Sequence, residues 1–167
     1  MTETDGHPIV VQENRNGLME EVFRSVRTNL QYMLGEGQKV ILFTSTTSGE
    51  GKSFNAGNLA CSFAFMGKKV VIVGLDIRKP GLNKVFEISH KERGITQYLA
   101  DPKQTDLLSL CQPSAISPNL FILRGGTVPP NPTELVARKT LDEAIEQLKQ
   151  SFDYVLLDTA PIGMGTD

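Results

Sequence analysis

The stretch KVILFTSTTSGEGKSF, residues 39–54, limits the fold more than any other part of the chain. An apolar run of strand length, KVILFTS (39–45), passes through a glycine-bearing turn into a helical pattern from Lys52 to Met66, which stops at Gly67. Gly49 and Gly51 free the turn's backbone to curl, so successive N–H groups can face inward alongside the first N–H groups of the helix. The result is a cradle for an anion. The turn itself reads STTSGEGKS (45–53). It differs from the phosphate-loop pattern G-x-x-x-x-G-K-[ST] at one place, where Thr46 stands for the first glycine.

Three more apolar runs, KVVIVGLD (69–76), NLFILRGG (119–126) and FDYVLLDTAP (152–161), read as buried strands. The segment NPTELVARKTLDEAIEQLKQ (131–150) reads as a helix. Asn131 caps it, Pro132 suits its first turn, Glu134 completes a capping-box-like arrangement, and Leu141, Ala144, Ile145 and Leu148 form its buried face. Residues 78–117 are mixed, with short helices expected around Lys84 and over 94–100. Toward the N-terminus, residues 1–16 are polar, broken by Gly6 and Pro8, and read as an arm or linker. Residues 17–34 are helical, with Met19, Val22, Val26, Leu30 and Met33 on one stripe, and Gly35 and Gly37 stop the helix. Strands alternating with helices imply an α/β fold with a parallel sheet, in which ligands bind at the carboxyl ends of the strands.

Composition removes several classes of function. The 167 residues suit one domain with a sizeable core. A net charge of −2 gives no electrostatic ground for binding nucleic acid. No apolar run approaches the roughly 18 residues of a membrane span, and MTETDGHP at the N-terminus is no signal peptide. A soluble, cytoplasmic chain is expected. Cys61 and Cys111 match no metal or redox spacing and read as small buried apolar groups in a reducing compartment. His7 and His90 read as solvated surface.

The chemistry-bearing residues fall at strand ends. Ser48, Gly49, Glu50, Gly51, Lys52, Ser53 and Phe54 are the candidate nucleotide contacts. The Lys52 ammonium suits the β- and γ-phosphates, and the Ser53 hydroxyl suits Mg²⁺. VLLD (155–158) sets Asp158 at the end of a strand in the Walker B manner, where a carboxylate steadies Mg²⁺ through its water shell. VVIVGLDIR sets Asp76 at the end of another strand, with Arg78 two residues on. Either acid alone is a weak signal; with the phosphate loop they converge on one site. The candidate catalytic set is Lys52, Asp76, Arg78 and Asp158. The candidate metal ligands are Ser53, Asp76 and Asp158, and the cofactors are ATP or ADP with Mg²⁺.

Taken together, the phosphate loop, the second acidic strand (Walker A′) and Walker B resemble those of the bacterial tyrosine kinases that control capsule and exopolysaccharide export. EVFRSVR (21–27), LDIRKPGLNKVF (75–86) and GGTVPPNPTELV (125–136) carry the likeness further, over nearly the whole chain from about residue 17. The resemblance implies a P-loop NTPase of the MinD/ParA-like class acting as an ATP-dependent protein-tyrosine autokinase. It also implies that Glu21, Arg24 and Arg27, the family's E-x-x-R-x-x-R motif, pair subunits into a ring through the N-terminal helix. The tyrosine-bearing tail of one subunit then reaches its neighbour's site. The further partner implied is a membrane-spanning polysaccharide copolymerase, fused or separate, at the cytoplasmic face of the inner membrane. The domains expected are an arm (1–16), an oligomerisation helix (17–37) and a nucleotide-binding domain (38–167).

The sequence departs from that pattern in two places. Gly74 occupies the first acid position of the usual D-x-D-x-R, so that acid's role has no bearer here and Asp76 becomes the candidate general base. The chain also ends at Asp167, soon after Walker B, which suggests a truncated form lacking C-terminal strands. Tyr32, Tyr98 and Tyr154 form no cluster and are expected to serve packing. Two other functions compete with the kinase: a MinD/ParA-type ATPase switch, and a nucleotide-binding regulatory module with weakened catalysis. Thr47, where the MinD/ParA signature lysine belongs, argues against the switch.

Overall fold

In a computed structural model, the residues described are 9, 17–35, 37, 39–44, 51–76, 80–88, 93–127 and 138–159. Along the chain these form α1 (Leu18–Leu34), β1 (Val40–Phe43), α2 (Gly51–Phe65), β2 (Val70–Gly74), α3 (Gly81–Val85) and α4 (Ile95–Ala100). Then come α5 (Leu107–Leu110), β3 (Gln112–Pro113), β4 (Leu120–Leu123), α6 (Arg138–Ser151) and β5 (Tyr154–Asp158). The sheet order is β1-β5-β2-β4-β3. Every pairing is parallel except that of β3 with β4. The expected parallel α/β sheet is present, with an antiparallel edge added by two exposed residues that carry no strand signal.

β2 lies inside the sheet with both faces covered, which is why VVIVG needs no polar residue. Alternate side chains build two cores. Val70 and Ile72 of β2, Leu120 and Ile122 of β4, Leu156 of β5 and Ile41 of β1 pack toward α1, α2 and α3. Val71, Val73, Leu123, Val155 and Leu157 pack toward α4, α5 and α6. Fully buried side chains such as Phe63, Leu59, Leu148 and Leu156 each contribute about 2 kcal/mol by leaving water. On α6, Ala144 and Leu148 are buried, with Leu141 and Ile145 packed beside them, as the helical spacing predicts. Its proposed cap, Asn131 with Pro132 and Glu134, lies outside the described residues, as do the arm 1–8 and both histidines.

α1 behaves differently from its pattern. Its apolar stripe faces water: Met19, Val22, Val26 and Met33 are exposed, and only Leu30 packs against the core. The inward face instead presents Phe23, Glu20, Arg27 and Leu34. Phe23 meets the Phe54 ring of α2 at 6.2 Å, and Arg27 hydrogen-bonds across to α2. Among the tyrosines, Tyr98 is buried and Tyr154 stacks on Phe63 at 4.2 Å, but Tyr32 is 91% exposed and packs against nothing in the core. The helical position of Tyr32 gave no information about which side of α1 it would occupy.

Candidate nucleotide site

The carboxyl ends of β1, β2 and β5 lie side by side, because Phe43 pairs with Asp158 and Gly74 pairs with Asp158 on its other flank. The Leu75 amide continues this, donating to the Asp158 carbonyl at 2.8 Å. Thr159 then ties β5 to β1: its amide and its hydroxyl both donate to the Phe43 carbonyl, at 3.1 and 2.8 Å. These links hold Asp158, 1% exposed, at the centre of the strand ends.

α2 delivers two side chains to that acid. The Ser53 hydroxyl donates to Asp158 Oδ2 at 2.7 Å. Lys52 Nζ donates to Asp158 Oδ1 and to the Thr159 carbonyl. Both carboxylate oxygens are thereby engaged, and the buried negative charge of Asp158 is matched by the Lys52 ammonium, whose side chain is 6% exposed. A buried ion pair of this kind holds only when its remaining polar atoms are also satisfied, which Ser53 and Thr159 accomplish.

Asp76 stands two residues beyond Gly74, at the next strand end, and is buried. The structure thus gathers Lys52, Ser53 and Asp158 into direct contact and sets Asp76 at the neighbouring strand end. Gly51 opens α2 with its backbone exposed, and Phe54 packs on the core toward α1. Ser48, Gly49, Glu50 and Arg78 lie outside the described residues. At position 74, a Cβ would sit 3.3 Å from the Gly125 amide nitrogen and 3.5 Å from Leu82 Cδ1, on a strand in register with Asp158.

This donor set suits a magnesium nucleotide. Among the described residues no group of three or more His, Cys, Asp or Glu side chains could cage a metal. One buried carboxylate beside a hydroxyl suits a cation that takes its other ligands from phosphate and water, with the adjacent ammonium left to the phosphates. Thr159 is a participant that sequence reasoning missed: it acts through a main-chain oxygen, which no residue pattern displays.

In the expected oligomerisation motif, Glu21 is exposed and Arg24 is half-buried with its Nε reaching the Glu20 carbonyl at 3.4 Å. Arg27 is half-buried and turned inward to α2. The three share a helical spacing but not one environment. Burial, and secondarily Arg24, pushes the Arg27 pKa down from its ordinary value.

Comparison with known proteins agrees with this geometry. The AAA domain family matches residues 38–164. The tyrosine-protein kinase CpsD of Streptococcus pneumoniae is 38% identical over 148 residues, covering 89% of this chain and 63% of that protein. The putative tyrosine-protein kinase CapB of Staphylococcus aureus is 30% identical over 161 residues, covering 96% of this chain and 69% of the relative. The chain therefore spans a little under two thirds of the length of the pneumococcal protein. In structure, the chimerical protein CapA2B2 superposes with a TM-score of 0.82 at 29% identity, over 94% of this chain and 68% of that one. MinD in the MinC:MinD cell division complex of Aquifex aeolicus shares the fold, with a TM-score of 0.62 at 22% identity over 76% of this chain and 50% of that one.

Proposed function

This chain belongs to the family of bacterial tyrosine kinases, and on that premise we propose that it is the ATP-binding core of a protein-tyrosine kinase serving capsule or exopolysaccharide synthesis and export. The observation that carries the reading is the convergence of Lys52 and Ser53 on the two oxygens of Asp158.

In this reading Lys52 and the amides of the 45–53 turn take the negative charge of the β- and γ-phosphates. Ser53 and Asp158 hold Mg²⁺, with Asp76 beside them. Magnesium, when bound, supplies neutralisation of charge on the phosphate oxygens. Asp76 accepts the proton of the tyrosine hydroxyl as its oxygen bonds to the γ-phosphorus and the bond to the β-phosphate oxygen breaks; Arg78 adds positive charge nearby. The tyrosine comes from the tail of a neighbouring copy in a homo-oligomeric ring, beside a polysaccharide copolymerase at the cytoplasmic face of the membrane. No helix among the described residues is long and apolar enough to cross a membrane.

The exposed apolar stripe on α1 supports an assembly role for the segment 17–37, with Glu21 on the surface and Arg27 engaged within the subunit. A second reading has one observation in its favour. With Gly74 in place of the first Walker A′ acid, the chain binds nucleotide and regulates without transferring phosphate. Lys52→Met in the intact protein separates these: it abolishes phosphotyrosine formation if the kinase reading holds, and phosphotyrosine that persists overturns the site assignment. Nucleotide binding with no phosphotyrosine in the unsubstituted protein establishes the second reading.

A further inference from the structure

α3 approaches α2 more closely than side chains on both helices would allow. A Cβ built at Gly81 overlaps the Ser53 hydroxyl and lies 2.8 Å from the Ser53 Cβ. One turn along, a Cβ built at Gly57 lies 2.8 Å from Val85 Cγ1 and 3.4 Å from two atoms of the Phe86 ring. Ser53 and Gly57 on α2 therefore face Gly81 and Val85 on α3, with one glycine in each rung. Ser53 is 6% exposed, and its hydroxyl is held between the α3 backbone and Asp158 Oδ2.

We propose that Gly81 is a positioning residue for Mg²⁺-dependent nucleotide binding: lacking a side chain, it lets α3 close on Ser53 and confine the hydroxyl to the orientation that faces Asp158. A hydroxyl pressed on one side by backbone has no room for the rotamers that would turn it away. Gly81 follows Asp76 by five positions in sequence, and the contact docks the start of α3 against α2. The inference rests on the nucleotide-site reading above.

The test is the affinity of the full chain for a fluorescent ATP analogue, measured in excess Mg²⁺ and again in EDTA. Gly81→Ala is expected to leave the EDTA affinity within about twofold and to cut the gain due to Mg²⁺ roughly tenfold or more, the size of one lost hydrogen bond to a charged group. Gly57→Ala inserts the same methyl into the same helix pair away from the hydroxyl; it is expected to keep the full Mg²⁺ gain. In a Ser53→Ala background, Gly81→Ala is expected to cost no further Mg²⁺ gain, because both act through one hydroxyl. The double variant is also expected to melt above Gly81→Ala alone, since the overlapped oxygen is gone; this readout serves even where Gly81→Ala folds too poorly to bind. A full Mg²⁺ gain in Gly81→Ala, an equal loss in Gly57→Ala, or no recovery of melting in the double variant overturns the inference alone. An unsubstituted chain with no Mg²⁺ gain overturns the nucleotide reading and this inference with it.

Discussion

Arg27 Nη1 donates to both the carbonyl oxygen and the hydroxyl of Ser62, each at 3.2 Å, across the seam between α1 and α2. The bond fastens the N-terminal helix to the same helix that opens with Lys52 and Ser53. Arg27→Ala is expected to lower stability by about 1–3 kcal/mol, because it strips a charged donor from two acceptors. Glu21→Ala, on the exposed side, is expected to stay within about 0.5 kcal/mol. Urea denaturation followed by far-UV circular dichroism measures both. Equal effects would return Arg27 to the surface role that its motif suggests.

The outward stripe of α1 makes an opposite demand. Val22→Asp combined with Val26→Asp changes two exposed side chains outside the core, so the melting temperature is expected to fall only slightly, by the like-charge cost of an i,i+4 pair. If α1 joins copies of the protein, the same pair shifts the assembly to monomer in light scattering coupled to gel filtration. An unchanged mass would place the assembly contact elsewhere.

Asp158 is the counter-charge of the nearly buried Lys52 ammonium. Asp158→Asn removes that charge while keeping the shape, and breaking a buried pair from one side costs about 3–5 kcal/mol. Adding Lys52→Met to Asp158→Asn is expected to recover part of that loss, since the stranded cation is gone as well. A double-mutant cycle by chemical denaturation reads the coupling directly. Additive losses would mean the two side chains do not share their charge in solution.

Burial pushes the Cys61 thiol up to about 12, against a weaker opposing pull from a backbone hydrogen bond. Burial, then Asp106, pushes the Cys111 thiol up to about 12 as well, with Lys69 opposing. A thiol whose pKa is higher folded than unfolded adds stability that is whole below the ordinary thiol pKa and drains away as pH rises toward 12. Neither thiol is expected to react with a disulfide reagent at pH 8 in the native chain, and both are expected to react in guanidinium. Rapid native reaction at either position would show that its core opens.

How far the sequence foretold this arrangement depends on the kind of signal. β2 and β5 were legible because a strand covered on both faces has no choice but Val, Ile and Leu. Lys52, Ser53 and Asp158 were legible as a group because a phosphate-loop pattern opens α2, an acid closes β5, and a parallel α/β fold brings those two ends together. The hidden parts depended on three-dimensional contacts. Gln112 and Pro113 form an edge strand through main-chain pairing with β4 alone. α1 was legible as a helix, but periodicity finds an apolar stripe without telling core from open surface. Arg27 and Glu20 occupy the inward face instead. The Thr159 contact with Lys52 runs through a carbonyl oxygen and the close approach at Gly81 through absent bulk, and neither leaves a residue signature.

β5 is the last strand in the described chain, yet it fits between β1 and β2, which are made long before it. During synthesis neither of those two strands has this sheet partner until β5 is made, since they do not pair with each other in the finished sheet. Lys52 leaves the ribosome 106 residues ahead of Asp158, a delay of roughly 5–20 s at ordinary rates of elongation. Throughout that interval the phosphate-loop helix exists without the acid that holds its two working side chains. The cluster therefore has a birth time: a nascent chain gains it late, when β5 takes its place between β1 and β2.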